Sequence, residues 1–229
     1  MRSKRYKKLP EKTFELKAET IDKLLSSIKK NCTTKFDESI DLSFQINNKQ
    51  KKGEINIRTI VNLPGGTAKK VKVAVVCEDA KSAEAKNAGA DIVGSDDFIE
   101  KIKSGVINFE KLICTPSMMV KLSKLGKILG PKGLMPNPKL GSVTDDLKNA
   151  IINAKSGQAE IRNDKDGNIG VSIGKKSFSD DKLLKNYNAI LETFEKEKSN
   201  NTIKGDLIKS AFITSTMGVS YKLKLNKNI

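Results

Sequence analysis

The chain has no histidine in its 229 residues. That removes the commonest general base and every Ser-His or Cys-His nucleophile pair. Cysteine is scarce too: Cys32, Cys77 and Cys114 are odd in number, far apart and without a C-x-x-C pair, and no histidine is present to complete a zinc site. They read as reduced, half-buried core residues of a cytoplasmic protein. No apolar run approaches the roughly 20 residues of a membrane-spanning helix. The opening Met1-Arg2-Ser3-Lys4-Arg5-Tyr6-Lys7-Lys8 is basic with no apolar stretch behind it, so it reads as a basic arm and not as a secretory signal.

What the sequence has in excess is positive charge. Lysine and arginine number 43 against 27 acidic residues, a formal net charge of +16, and the isoelectric point is near 9.6. Such a balance points to a polyanionic partner, and with no apolar run of spanning length nucleic acid is favoured over a membrane. The length suits two domains, since domains cluster at roughly 100 to 150 residues.

Periodicity divides the chain. Ile21, Leu24, Leu25 and Ile28 recur at helical spacing behind Thr20 and Asp22. Ile40, Leu42, Phe44 and Ile46 alternate strictly and predict a half-buried strand; a lysine-rich turn at residues 47–53 and a return strand through Ile55, Ile57, Val61 and Leu63 follow. From Val71 to Cys77 the pattern becomes continuous and apolar, as in a parallel strand covered on both faces. Short strands at Ile92-Val93 and Leu112-Ile113-Cys114 then alternate with helices that end at Gly89, Gly105 and Gly157, which predicts a small parallel α/β domain. Beyond Gln158 alternation returns. Ile161 on one arm and Ile169, Val171 and Ile173 on the other, around 164–167, predict a hairpin. Phe178, Ser179 and Leu183 have the form of a hydrophobic staple opening a helix with Tyr187, Ile190 and Phe194 inward. Strands through 207–214 and through Val219, Tyr221, Leu223 and Leu225 close the chain.

The economical architecture is therefore a discontinuous two-layer antiparallel α+β domain, residues 1–66 and 158–229, with a small parallel-sheet, Rossmann-like α/β domain, residues 67–157, inserted in it. Residues 67–158 hold 15 basic and 10 acidic side chains, leaving 28 basic and 17 acidic outside them. The polyanion is expected chiefly on the outer domain.

Two apparent ligand motifs fail on spacing. The stretch from Gly170 to Ser177 has its first glycine one place too near for a phosphate loop, and Lys176 stands where a hydroxyl residue should follow the lysine. Asp164-Lys165-Asp166-Gly167-Asn168 has its glycine too early for a calcium loop, and Lys175 stands at the twelfth position. The pairs Asp96-Asp97, Asp145-Asp146 and Asp180-Asp181 sit at helix starts, where they complement the dipole and need no catalytic role. Residues 125–139 carry three glycines, three prolines and only lysine charges. Such a stretch is expected to form neither ordinary helix nor strand, and it presents either a phosphate-binding surface or a solubilising loop. Phe36 beside Lys35 suits stacking on a base or capping of the core.

Five motifs in order carry a resemblance. Lys35-Phe36-Asp37-Glu38-Ser39, Leu63-Pro64 with Gly66-Thr67, Gly130-Pro131-Lys132-Gly133-Leu134-Met135-Pro136-Asn137-Pro138-Lys139, Arg162-Asn163-Asp164-Lys165-Asp166-Gly167 and Thr216-Met217-Gly218 resemble the signatures of the bacterial ribosomal protein L-one family. The resemblance implies no enzyme and no cofactor, but a cytoplasmic large-subunit protein, monomeric outside the ribosome. Its implied partners are large-subunit rRNA at a mobile stalk, exit-site tRNA whose release it assists, and its own operon mRNA, which it represses. Carried over by position, the RNA face comprises Lys35, Phe36, Ser39, Asp41, Arg162, Asn163, Asp164, Lys165, Gly167, Thr216, Met217 and Gly218. Lys127, Lys132 and Lys139 would form a second RNA surface, and Pro64, Gly65, Gly66 and Gly157 a hinge. Gly65 and Gly170 stand where the family usually has histidine, and Val219 where proline is frequent. The rival class is an enzyme binding a nucleotide at the carboxyl ends of the parallel strands, for which a glycine fingerprint, a base and a metal cluster are all missing.

Overall fold

The alternating and continuous hydrophobic patterns become two different kinds of sheet in the computed structural model, which describes residues 4–9, 18–47, 57–67, 69, 71–200 and 205–225. In chain order these form α1 (Lys4–Lys7), α2 (Ile21–Asn31), β1 (Ser39–Ile46), β2 (Arg58–Asn62), β3 (Val73–Val76), α3 (Asp79–Asn87), β4 (Ile92–Gly94), α4 (Asp96–Lys103), β5 (Lys111–Cys114), α5 (Pro116–Ser123), α6 (Gly126–Leu129), a 3₁₀ turn (Pro138–Leu140) and α7 (Leu147–Lys155). The chain continues with β6 (Gln158–Arg162), β7 (Asn168–Lys175), α8 (Asp180–Asn200), β8 (Ile208–Ser215) and β9 (Tyr221–Lys222). Two units result, Met1–Ala68 with Ala159–Ile229, and Lys69–Gln158. None of the described helices is long and apolar enough to cross a membrane.

The discontinuous unit is built on an antiparallel sheet of order β7-β1-β8-β9. One face of β1 buries Ile40, Leu42, Phe44 and Ile46, and α2 and α8 cover it with Leu24, Leu25, Ile28, Leu183, Tyr187, Ile190 and Phe194. The rings of Phe44 and Phe194 meet edge to face, their centroids 4.9 Å apart. The other face of the sheet is left to solvent, as the alternation requires.

Strand pairing departs from the sequence reading in two places. The return strand does not pair with β1: β2 pairs with β6 in a separate two-stranded sheet. Nor do the arms around residues 164–167 form a hairpin ladder, because only a single bridge, Asn163 to Ile169, joins them before β7 passes to β1. Side-chain contacts accompany the observed pairing of β6 with β2. Arg58 and Glu160 form a cross-strand ion pair at 2.8 Å, and the Asn163 side chain accepts the Ile57 N–H at 2.6 Å, tying β6 to the β2 segment. Alternation reports which face is buried, not which strand lies alongside. The lysine-rich turn and Ile55 fall among residues 48–56, outside the described residues.

The second unit has the parallel sheet β4-β3-β5. The continuous apolar run of β3 is explained by cover on both faces. Val73 and Val75 pack toward Ala85, Leu147, Ile151 and Ala154 of α3 and α7. Ala74 and Val76 pack toward Phe98, Ile102, Met118 and Leu122 of α4 and α5. Asp146 caps α7, accepting the Asn149 N–H at 3.1 Å. The stretch at 125–139 is not wholly irregular as expected: α6 forms one helical turn, because Leu125 and Leu129 are buried in the core of this unit and Ile128 packs against it. The three cysteines are unpaired and fully buried, not half-buried. Burial pushes the Cys114 thiol up to about 11, which keeps it protonated at neutral pH.

Candidate nucleic-acid interface

At the Ser39 end of β1, three segments distant in sequence meet. The Thr216 N–H donates to the Ser39 carbonyl at 3.0 Å, and the Thr216 hydroxyl accepts the Ser39 N–H at 2.9 Å. The turn 216–218 thus grows directly out of the β1 and β8 ladder. Beneath it lies Glu38, fully buried. Its carboxylate accepts from the Thr34 hydroxyl at 2.6 Å, from the Met217 N–H at 3.1 Å and from Ser215. Burial pushes this carboxyl up, but the hydrogen bonds from Thr34, Ser215 and Met217 outweigh it and hold the group below its ordinary value. One charged hub therefore fixes the loop that carries Lys35 and Phe36 and the turn that carries Met217.

Above the hub the side chains are open. Phe36 is 53% exposed, so it caps no core, and Met217 is 48% exposed. Lys35 and Thr216 are exposed, Ser39 and Asp41 partly so. Gly218 is required by close approach: a Cβ there would stand 2.3 Å from the Ser215 hydroxyl oxygen. Arg5 reaches this corner from the basic arm, donating to the Thr33 hydroxyl and to the Met217 carbonyl.

The other predicted residues lie near the opposite end of β1, at the end of β6 and in the turn that leads from it into β7. Gln45 of β1 is paired with Asn168, and six residue steps from Ser39 span roughly 20 Å. There Arg162 and Lys165 are exposed. Asn163 and Asp164 are occupied in holding the chain: the Asn163 amide donates to the Asp164 carbonyl at 2.8 Å, and the Asp164 carboxylate accepts the Asn168 N–H at 2.6 Å. That backbone bond, with the Asn168 amide, holds the Asp164 carboxyl below the usual carboxylate range. Gly167, at φ 81°, closes the turn in a conformation that side chains rarely adopt. The residues read from sequence as one face are thus two clusters, one near each end of β1.

The second lysine surface and the hinge glycines have their own anchors. Lys127, Lys132 and Lys139 are exposed on the other unit. Asn137 and Ser142 set the loop's shape: the Asn137 N–H donates to the Ser142 hydroxyl at 2.7 Å, and the Asn137 side chain accepts the Lys139 N–H at 2.9 Å. Gly65 and Gly66 are held by Asn186 of α8, fully buried, which accepts the Gly65 N–H at 2.7 Å and donates to the Gly66 carbonyl at 3.1 Å and the Ile173 carbonyl at 2.7 Å. Pro64 is exposed and Gly157 buried.

Glu38, Ser215 and Asn186 were missed as positioning residues, though each carries a signal. Glu38 shares the inward parity of Ile40 and Leu42, Ser215 that of Ala211 and Ile213, and Asn186 lies three residues from Leu183 on the inward stripe. A polar residue in a buried register must be bonded, and so organises what surrounds it.

Comparison with known proteins identifies the family. A family model described as the ribosomal protein L1p/L10e family matches residues 28–219. The chain is similar to the large ribosomal subunit protein uL1 of Pelagibacter ubique (strain HTCC1062), 79% identical over 229 residues and the full length of both. It is also similar to the proteins of that name from Rickettsia africae (strain ESF-5) and Rickettsia akari (strain Hartford), each 46% identical over 222 residues, covering 96% of this chain and 92% of theirs.

Proposed function

The chain belongs to the ribosomal protein L1p/L10e family and is a structural, non-enzymatic constituent of the large ribosomal subunit, and from that premise we propose that its discontinuous unit grips large-subunit rRNA at a mobile stalk. The observation that carries the reading is the corner where Lys35, Phe36, Thr216 and Met217 stand exposed over a fully bonded, buried carboxylate. Exposed side chains on a rigid support suit recognition of a folded RNA by shape and by 2′-hydroxyls, while Arg162 and Lys165 neutralise phosphate. The excess of basic residues in this unit supplies the long-range attraction.

Further roles follow from the same chemistry. Lys127, Lys132 and Lys139, on the other unit, are assigned to a second RNA, the tRNA leaving the exit site. An operon mRNA that mimics the rRNA site would compete for the first face and so repress synthesis of the protein, which acts as a monomer off the ribosome. The hinge is assigned to residues 63–68 and 156–159, with Ala68 outside the described residues. Asn186 anchors the Gly65 and Gly66 part of it to α8.

The test is retention and competition. The purified protein should carry large-subunit rRNA that high salt releases, and should not be stabilised against heat by nucleotides, as the enzyme reading would require. Replacing all three loop lysines by alanine should weaken tRNA binding and leave rRNA binding intact. Loss of both together would sink the division of labour. Distances between labels on the two units, single-valued and equal with and without RNA, would remove the hinge.

A further inference from the structure

The solvent face of the four-stranded sheet joins the two clusters, and one side chain on it is out of character. Along β1 that face presents Ser39, Asp41, Ser43 and Gln45. On β8 it presents Ser210, Phe212 and Thr214, and Phe212 is 37% exposed. Register fixes the ring's surroundings. Ser43 is paired with Phe212 on one side and with Gly170 on the other, and Phe212 is paired with Lys222 of β9. A row across the sheet therefore reads Gly170, Ser43, Phe212, Lys222.

No cross-strand neighbour in this row offers the ring an apolar partner, so sheet stabilisation by side-chain pairing does not account for it. The ring is flanked by a serine and, beyond it, by a glycine with open space above its Cα, so part of it is accessible on a surface of small side chains. Lys222, exposed and paired with Phe212 on the neighbouring strand, adds a cation on the same side of the row. An aromatic platform with an adjacent cation, on a sheet otherwise lined by small hydroxyl side chains, has the chemistry that stacks an unpaired base and neutralises its phosphate.

We infer that Phe212 is a stacking platform for an unpaired base of the RNA held on this unit, with Lys222 on the phosphate beside it. The inference rests on the rRNA reading above and extends it. The bound strand crosses the sheet between the Thr216 corner and the Arg162 turn, so the two clusters read one continuous RNA instead of two separate ones.

The experiment uses the full chain and the fragment of large-subunit rRNA that the native protein retains after nuclease trimming. Phe212→Ala should lose roughly 5- to 150-fold in affinity, the range for removing one aromatic under one base. Phe212→Tyr should bind as the native protein does, whereas Phe212→Leu, apolar but without a ring face, should lose nearly as much as alanine. The slope of log affinity against log salt should stay unchanged for all three, and flatten by roughly 0.7 to 0.9 for Lys222→Ala. Ultraviolet crosslinking followed by mass spectrometry should place a nucleotide on the peptide that contains Phe212. Native-like affinity of Phe212→Ala or of Phe212→Leu overturns the platform while leaving rRNA binding in place. A native protein that retains no rRNA fragment removes the underlying function, and the platform with it.

Discussion

Glu38 and Met217, 179 residues apart in the chain, are joined by one hydrogen bond in which the Met217 N–H donates to the buried carboxylate at 3.1 Å. The exposed methionine beside the proposed RNA face is therefore positioned from below by a charge that water does not reach.

Glu38→Gln tests that dependence. The amide replaces one acceptor with a donor and leaves a buried partner unsatisfied, at about 1 to 3 kcal/mol of stability. The pH dependence has a definite sign. Since the folded carboxyl lies below its ordinary value of 4.5, its contribution is complete above that value and is lost as pH falls through the depressed one. Urea midpoints of the native protein should drop across that acid window more steeply than those of Glu38→Gln. Parallel curves would remove Glu38 from the role.

Gly218→Ala should be worse than its size suggests. The added methyl would press on the Ser215 hydroxyl, 2.3 Å away, and so on a donor of the Glu38 hub. Overpacking of this kind costs about 1 to 3 kcal/mol. Thermal unfolding should move accordingly, and affinity for rRNA should fall even where the variant is fully folded. A variant that melts and binds as the native protein does would contradict the close packing of this turn.

Lys165→Ala and Thr216→Val separate charge from fit. Lys165 is exposed, and its removal should weaken cognate and scrambled RNA alike while flattening the salt slope by roughly 0.7 to 0.9. The Thr216 hydroxyl instead accepts the Ser39 N–H. Valine there should lower stability by about 1 kcal/mol, the net worth of one such bond, and weaken cognate RNA alone with no change of slope. Binding measured over a salt series on both RNAs reads the difference. Equal losses on both RNAs for Thr216→Val would return that residue to a purely structural role.

Asn186→Leu keeps the branched outline of the side chain, with bulkier ends, and removes three bonds at once, to Gly65, Gly66 and Ile173. About 1 to 3 kcal/mol should go for each backbone group left buried and unpaired. Hydrogen exchange at the Gly65 amide should accelerate by the same free energy. Unaltered exchange would mean that this side chain does not anchor the chain at its crossing between units.

The parts of the fold legible in the sequence were those that periodicity encodes. Ile40 to Ile46 announced a half-buried strand, and Val73 to Val76 one covered on both sides, because burial on one face or two is written in which positions are apolar. Pairing partners were not legible: β2 meets β6 through Arg58, Glu160 and Asn163, contacts between residues about 100 apart. The one-turn helix at Gly126–Leu129 was hidden by flanking glycines and prolines, since two buried leucines outweigh a weak local preference. Of the candidate site, the motif positions were readable, but their separation along β1 was not. Glu38 was overlooked because a carboxylate is ordinarily taken as surface, although its place in the alternation put it inside.

The sheet order of the discontinuous unit also sets a timetable for synthesis. Strand β1 is made early, yet its neighbours β7 and β8 begin at Asn168 and Ile208. Until those residues have been added, Ile40, Leu42, Phe44 and Ile46 have no sheet to join. The inserted unit, complete by Gln158, holds all three of its strands and is free to close first. A growing chain halted just past residue 158 is therefore expected to carry a protease-resistant insert behind an exposed hydrophobic leading segment. That segment exposes apolar surface and unpaired strand edges that nascent-chain chaperones shield, and it does so until β8 is complete at Ser215 of the 229 residues.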